Sequence, residues 1–175
     1  QFLAYYQVIE FYFPRFFKSS CIRRIRSAIK DPSLQVENDA DLYRVISKIY
    51  TKNYNSEKNQ LNATLEECLG NRDIQEFLTE TKERTEFFKS KEKDITSNTL
   101  NIKDKSIDLY TQVANRIYDI RCKIVHTKND GNQKEIESLL PYSPGAGKLG
   151  NDIELVRHAA RKVLIYTSIE FDIKI

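Results

Sequence analysis

The chain has 175 residues, enough for one domain, of which 40% are hydrophobic, with 10 Tyr and 9 Phe to fill a core. Its 28 basic and 25 acidic residues leave a net charge of +3, an ordinary balance that neither demands nor excludes a nucleic-acid partner. With only 5 Gly and 4 Pro and long periodic apolar runs, helices are favoured over a β-sandwich or barrel.

No Met occurs, even at position 1, so the expectation is a single domain over 1–175 cut from a longer polypeptide. No apolar run reaches the roughly 18 to 20 residues that span a bilayer. Phe2 to Phe17 is broken by Gln7, Glu10, Pro14 and Arg15 and does not read as a signal peptide. Cys21, Cys68 and Cys122 are odd in number and widely spaced, which suggests neither a disulfide framework nor zinc and points to a reducing, cytoplasmic setting.

Residues 1 to about 29 read as helix, with a kink or break after Phe13 at Pro14. Apolar side chains nearly encircle it, which predicts a central, buried helix. Glu10 is the acid in that wall. Either it meets solvent or a local hydrogen bond, or it is buried and paired, with Arg121 as the partner. Arg23, Arg24, Arg26 and Lys30 surround Ile22, Ile25 and Ile29, a basic outer face that serves either as solvated surface or as a rim for phosphates.

Asp31-Pro32 ends that element. Leu42, Val45, Ile46, Ile49 and Tyr50 then repeat at helical spacing, with Asp39 or Asp41 as cap. Glu57 to Leu69 reads as a helix with Leu61, Leu65, Cys68 and Leu69 inward and Gly70 as its stop. Asn71 to about Phe88 reads as one more helix, and Lys82 to Asp94 as a solvated helix face or a flexible connection. Thr96 to Asp104 reads as a polar loop.

A long amphipathic helix begins near Lys105, with Ile107, Tyr110, Ala114, Ile117, Ile120 and Ile124 on one stripe. Arg121 and His126 close it. Positions five apart lie roughly 140° apart around an unbroken helix, so the two meet only if the helix ends near Val125 or a second copy contributes. The turn residues Asn129 to Asn132 follow. Gly145-Ala146-Gly147-Lys148 lacks the spacing and the preceding strand of a phosphate loop, and reads as a structural turn. Asn151 and Glu154 suggest a capping box for a last helix with Ile153, Val156, Ala160, Val163, Leu164, Thr167 and Phe171 inward. His158 reads as a boundary histidine beside Arg157, Arg161 and Lys162.

Metal ligand spacing, a nucleophile elbow and a complete glycine-rich loop are all missing from the sequence. Arg121 and His126 remain, either as an ion-paired helix end or as a site. An Arg, four residues and a His at the end of such a helix resembles the signature of the HEPN superfamily, in Asp119-Ile120-Arg121-Cys122-Lys123-Ile124-Val125-His126. The opening Tyr5-Tyr6-Gln7-Val8-Ile9-Glu10-Phe11-Tyr12-Phe13 is similar to the Apea-like HEPN domains of prokaryotic defence proteins.

That resemblance implies an all-α, HEPN-like helical bundle with a long motif-bearing helix. It implies a metal-independent, cofactor-free endoribonuclease that cleaves RNA through the 2′-hydroxyl, as an effector in antiviral or toxin-type defence. It also implies a homodimer or higher homo-oligomer, with other domains of the parent polypeptide as further partners. Arg121 and His126 carry over as catalytic. Lys123 is an auxiliary candidate for phosphate, with no motif behind it, and Glu10 a candidate for orienting Arg121. Cys122 departs from the polar residue (Asn, Asp or His) that often follows the Arg in active members. The alternatives are a non-catalytic HEPN domain that dimerises or binds nucleic acid or nucleotide, and an unrelated helical interaction domain.

Overall fold

The computed structural model describes residues 1–49, 56–91, 95–125 and 139–168. Among these residues the chain is all-helical, without strands. None of these helices is long and apolar enough to cross a membrane.

The aromatic opening forms α1 (Phe2–Phe11) and α2 (Phe13–Ile29). They part at Tyr12, and Pro14 sits in the first turn of α2, where its missing N–H costs nothing. The opening is one-sided rather than encircled by core. Phe2, Tyr6, Ile9, Phe13 and Phe16 are buried, whereas Phe11 is 78% exposed. The second half of α2 buries nothing large, and the short α3 (Asp39–Ile49) packs beside it. Asn38 caps α3, since Ala40 N donates to Asn38 Oδ1, so Asp39 and Asp41 fill the first turn instead.

α4 (Glu57–Cys68) is the hub, packing against α2, α7 (Leu109–Val125) and α9 (Gly150–Ser168), while α1 lies along α9. Ser56 caps α4 through Asn59 N. Leu61, Leu65, Cys68 and Leu69 are buried as their spacing predicts. Gly70 is not a left-handed stop. Its φ is −73°, and it is the N-cap residue of α5 (Asn71–Thr79). The region expected as one helix to Phe88 divides at Glu80, where the Thr81 hydroxyl accepts from Arg84 N and starts α6 (Lys82–Lys89).

The segment after α6 reads as a polar loop but is built into the core. Ile95, Thr96 and Leu100 are buried, and Leu100 N donates to Phe88 O at 2.8 Å. The Gln112 amide fastens it further, donating to Ile107 O and Asn101 O and accepting from Asn101 N. α7 therefore starts at Leu109, four residues later than the periodicity suggests, and Ile107 stays partly exposed.

The largest wholly buried side chain is a cation, Arg116. Its Nε and Nη2 donate to the two carboxylate oxygens of Asp152 at 2.6 and 3.0 Å, and Nη1 donates to Asn98 O at 2.7 Å. Phe88 and Phe87 lie under the guanidinium, at 5.0 and 5.3 Å from Cζ. Burial pushes the Asp152 carboxyl up and Arg116 draws it back down. Asp152 opens α9, which starts at Gly150 without the expected Asn151 and Glu154 box, because Glu154 pairs with Arg157. Along α9, Val156, Ala160, Val163 and Thr167 are buried, Leu164 is 42% exposed, and Phe171 lies outside the described residues.

Removing one partner strands a charge in the core. Arg116→Met or Asp152→Leu alone is expected to cost about 3–5 kcal/mol in urea denaturation, and the double substitution to recover at least half of that. Single substitutions costing under about 1 kcal/mol would contradict the assignment.

Candidate functional site

Arg121 stands in the last full turn of α7, on the side facing α4 and α1. Its side chain is 18% exposed, and its Nε meets Glu57 Oε1 at 2.9 Å. Glu57 opens α4 and is itself braced from α1, where buried Tyr6 donates its hydroxyl to the same Oε1 at 2.6 Å. The Tyr6 ring also faces the Arg121 guanidinium, 5.9 Å from Cζ. Burial, and then the Glu57 carboxylate, pushes the Tyr6 phenol far above its usual range, so it is a proton donor to Glu57 at any physiological pH.

Three helices thus supply one group each. Glu57 holds Arg121 by Nε. A guanidinium is a planar fork of donors that suits two oxygens of a phosphate or carboxylate.

The acid meeting Arg121 is Glu57, not Glu10. Glu10 is exposed on α1, one turn from Tyr6, and reaches the cluster only through its field at the phenol. Lys123 is half-buried two residues beyond Arg121, and its carbonyl accepts from Leu139 N at 2.9 Å. Both cations sit at the C-terminal end of α7, where positive charge complements the helix dipole. Cys122 is a free thiol hydrogen-bonded to Tyr118, whose phenol burial and that bond push up to about 12. His126 lies outside the described residues.

The Gly145 to Lys148 turn forms α8 (Pro144–Gly147), with its amides turned inward. Ala146 N donates to Ser143 Oγ, Gly147 N to Ser143 O and Lys148 N to Gly145 O. It packs with Phe2, Ile124, Leu139 and Leu149 around an apolar hollow of about 260 Å³. That is a structural turn, as the missing strand and spacing suggest. Among the described residues no group of three or more His, Cys, Asp or Glu is placed to hold a metal ion.

His158 is the other histidine, half-buried on α9 with its ring 4.8 Å from that of Phe77. Its Nε2 is buried with no hydrogen-bond partner among the described residues. Burial first, then Lys162, holds it below the ordinary histidine range, against the opposing pull of Asp73. It lies in a packing contact rather than in the Arg121 cluster.

No family model, curated protein or solved structure matches the chain. Sequence reasoning found Arg121 and passed over Glu57 and Tyr6. Glu57 carried only the sign of a helix-starting acid, and Tyr6 only that of a core aromatic.

Tyr6→Phe is expected to cost about 0.5–1.5 kcal/mol, and its effect with Glu57→Gln to be non-additive by at least about 0.5 kcal/mol. Additive effects in urea denaturation would mean that the two groups do not share a bond. With His158 held below the ordinary histidine range, the unfolded chain binds a proton more readily than the folded one. Stability then falls as pH drops through the unfolded histidine value of about 6.5. His158→Gln should lose less Tm than the parent between pH 7.5 and 5.5, and an equal loss in both would refute this.

Proposed function

We propose that the chain is a metal-independent endoribonuclease module of the HEPN type, with Arg121 and His126 as its catalytic residues. The observation that carries the reading is the grip on Arg121: Glu57 holds Nε, a buried tyrosine fixes Glu57, and the arginine side chain keeps 18% of its surface exposed near the end of α7. A cation fixed this way has already lost much of the side-chain freedom that binding a phosphate would cost.

RNA carries its own nucleophile. In the proposed reaction His126 takes the proton of a 2′-hydroxyl, and that oxygen bonds to the adjacent phosphorus. Negative charge grows on the two non-bridging oxygens of the phosphorane, and Arg121 offers its fork of donors to them. The bond from phosphorus to the 5′ oxygen breaks, and a protonated imidazole supplies the proton that the leaving oxygen requires. The products carry a 2′,3′-cyclic phosphate and a 5′-hydroxyl. A homodimer supplies two imidazoles to one cleft, which suits a step needing both a proton acceptor and a donor. Lys123 is an auxiliary cation for an adjacent phosphate. The role read for Glu10, orienting Arg121, passes to Glu57. The proposed setting is a cytoplasmic effector of prokaryotic antiviral or toxin-type defence, within a longer polypeptide.

One observation favours a non-catalytic reading: Glu57 already neutralises Arg121. On that reading the domain dimerises or binds nucleic acid or nucleotide without turnover.

Incubation of the purified chain with labelled RNA in EDTA separates the two. Cleavage by the parent, lost by at least a hundredfold in both Arg121→Ala and His126→Ala while each variant stays folded, is expected. Binding without cleavage would select the non-catalytic reading, and equal cutting by the variants would remove the site.

A further inference from the structure

The second half of α2 leaves apolar surface uncovered. Ile22 and Ile29 are 50% and 59% exposed, and seven residues apart they fall within about 20° of each other around the axis. α3 packs beside this half and carries Leu42 and Ile46, 38% and 50% exposed and within about 40° of each other. Ile25 and Val45 are half-buried and mark where the two helices meet. From Ile25 to Ile22, and from Val45 to Leu42, the step is the same, three residues back and about 60° round the helix. On antiparallel neighbours joined by a short link, equal turns away from the seam lead to the same side of the pair. The four exposed side chains therefore share one side, which on α2 is opposite the buried Phe13 and Ser20.

The two rims of this stripe carry opposite charge. On α2, which has no acid, exposed Lys18 and Arg26 lie four residues before and after Ile22, within about 40° of it. On α3, exposed Asp39 stands in the first turn, within about 20° of Ile46, and exposed Glu37 precedes it. Other charges nearby are already engaged. Arg15 and Arg24 have partners within the chain, Arg23 pairs with Glu67, and Asp41 pairs with Arg44 and accepts from Gln35 N.

From this arrangement we infer that the α2–α3 face is where a second copy of this chain docks, in a two-fold pair that lays each α2 against the partner's α3. A layer of two helices buries its apolar side only against another layer, and a two-fold axis makes one patch meet itself. Charge sets the arrangement. α2 against α2 would bring Lys18 and Arg26 up to cations, whereas α2 against α3 brings them to acids, twice over. RNA and an anionic membrane would both suit the cations, but the acidic rim repels phosphate and aliphatic side chains give bases no ring to stack on. Four aliphatic side chains from each copy make a small interface, about 1,200 Å² in total. The inference stands on this face alone and does not depend on the nuclease reading.

The test is sedimentation equilibrium of the purified chain up to about 200 μM, where the parent should form dimers. Ile22→Gln with Ile46→Gln should weaken pairing at least tenfold and keep the parent's helix content by circular dichroism. Two charge variants probe the arrangement: Lys18→Glu with Arg26→Glu, and Glu37→Lys with Asp39→Lys. Each should pair with itself at least tenfold more weakly than the parent does. Mixed in equal amounts they should form a heterodimer within about threefold of the parent's affinity, because each α2 then meets an α3 of opposite sign.

A parent that stays monomeric at about 200 μM overturns the inference. So does pairing that survives the isoleucine substitutions, since the copies would then meet elsewhere, and so does failure of the mixed charge variants to pair. Should the isoleucine variant lose its helix content, the mixture decides alone. A monomeric parent that binds oligouridine or phosphatidylserine vesicles only with Ile22 and Ile46 in place gives the face to that ligand and overturns the pairing. RNA cleavage by a monomeric parent removes the pairing and leaves the nuclease reading. A dimer that depends on this face and never cuts RNA does the reverse.

Discussion

A guanidinium with no exposed surface sets the terms for the rest of this structure. The burial of Arg116 is tolerable only because Asp152, Asn98 and two phenylalanine faces receive it together. Those partners come from α9, from the segment before α7 and from α6. One side chain thereby fixes the positions of elements that share few local signals. The cost of breaking the set is high because each remaining partner would be left polar and dry.

α7 uses two arginines in opposite ways. Arg116 and Arg121 are five residues apart, so they point about 140° apart around the helix, separated by roughly 7.5 Å of rise. The first faces α9 and the 95–100 segment and is wholly buried. The second faces α4 and α1, keeps 18% of its side chain in solvent and is held by a carboxylate that is itself 25% exposed. The inner pair anchors the helix, and the outer pair aims a cation from its end.

The stripes of α4, α7 and α9 were legible because burial imposes a helical period on residues only three or four apart. Ala114, Ile117 and Ile120 were read correctly for that reason, and Arg121 stood out by its place at the end of the stripe. Arg116 was hidden although it occupies the same apolar register as Leu109, Val113 and Ile120. A charge in an apolar row reads as surface until its partner is known, and Asp152 lies 36 residues away. Glu57 and Tyr6 are similarly silent, since the bond between them spans 51 residues. The smaller misreadings were local: glycine after an apolar run suggests a stop, yet Gly70 has an ordinary φ and opens the next helix.

The proposed reaction turns on one phosphodiester, where Arg121 would meet charge that develops only as the 2′ oxygen attacks. Its most direct measurement is the identity of the ends that the purified chain leaves on RNA in EDTA, resolved by mass spectrometry. The account predicts 2′,3′-cyclic phosphate on one fragment and 5′-hydroxyl on the other. Fragments ending in 3′-hydroxyl and 5′-phosphate would contradict it, because water rather than the RNA's own hydroxyl would then have been the nucleophile.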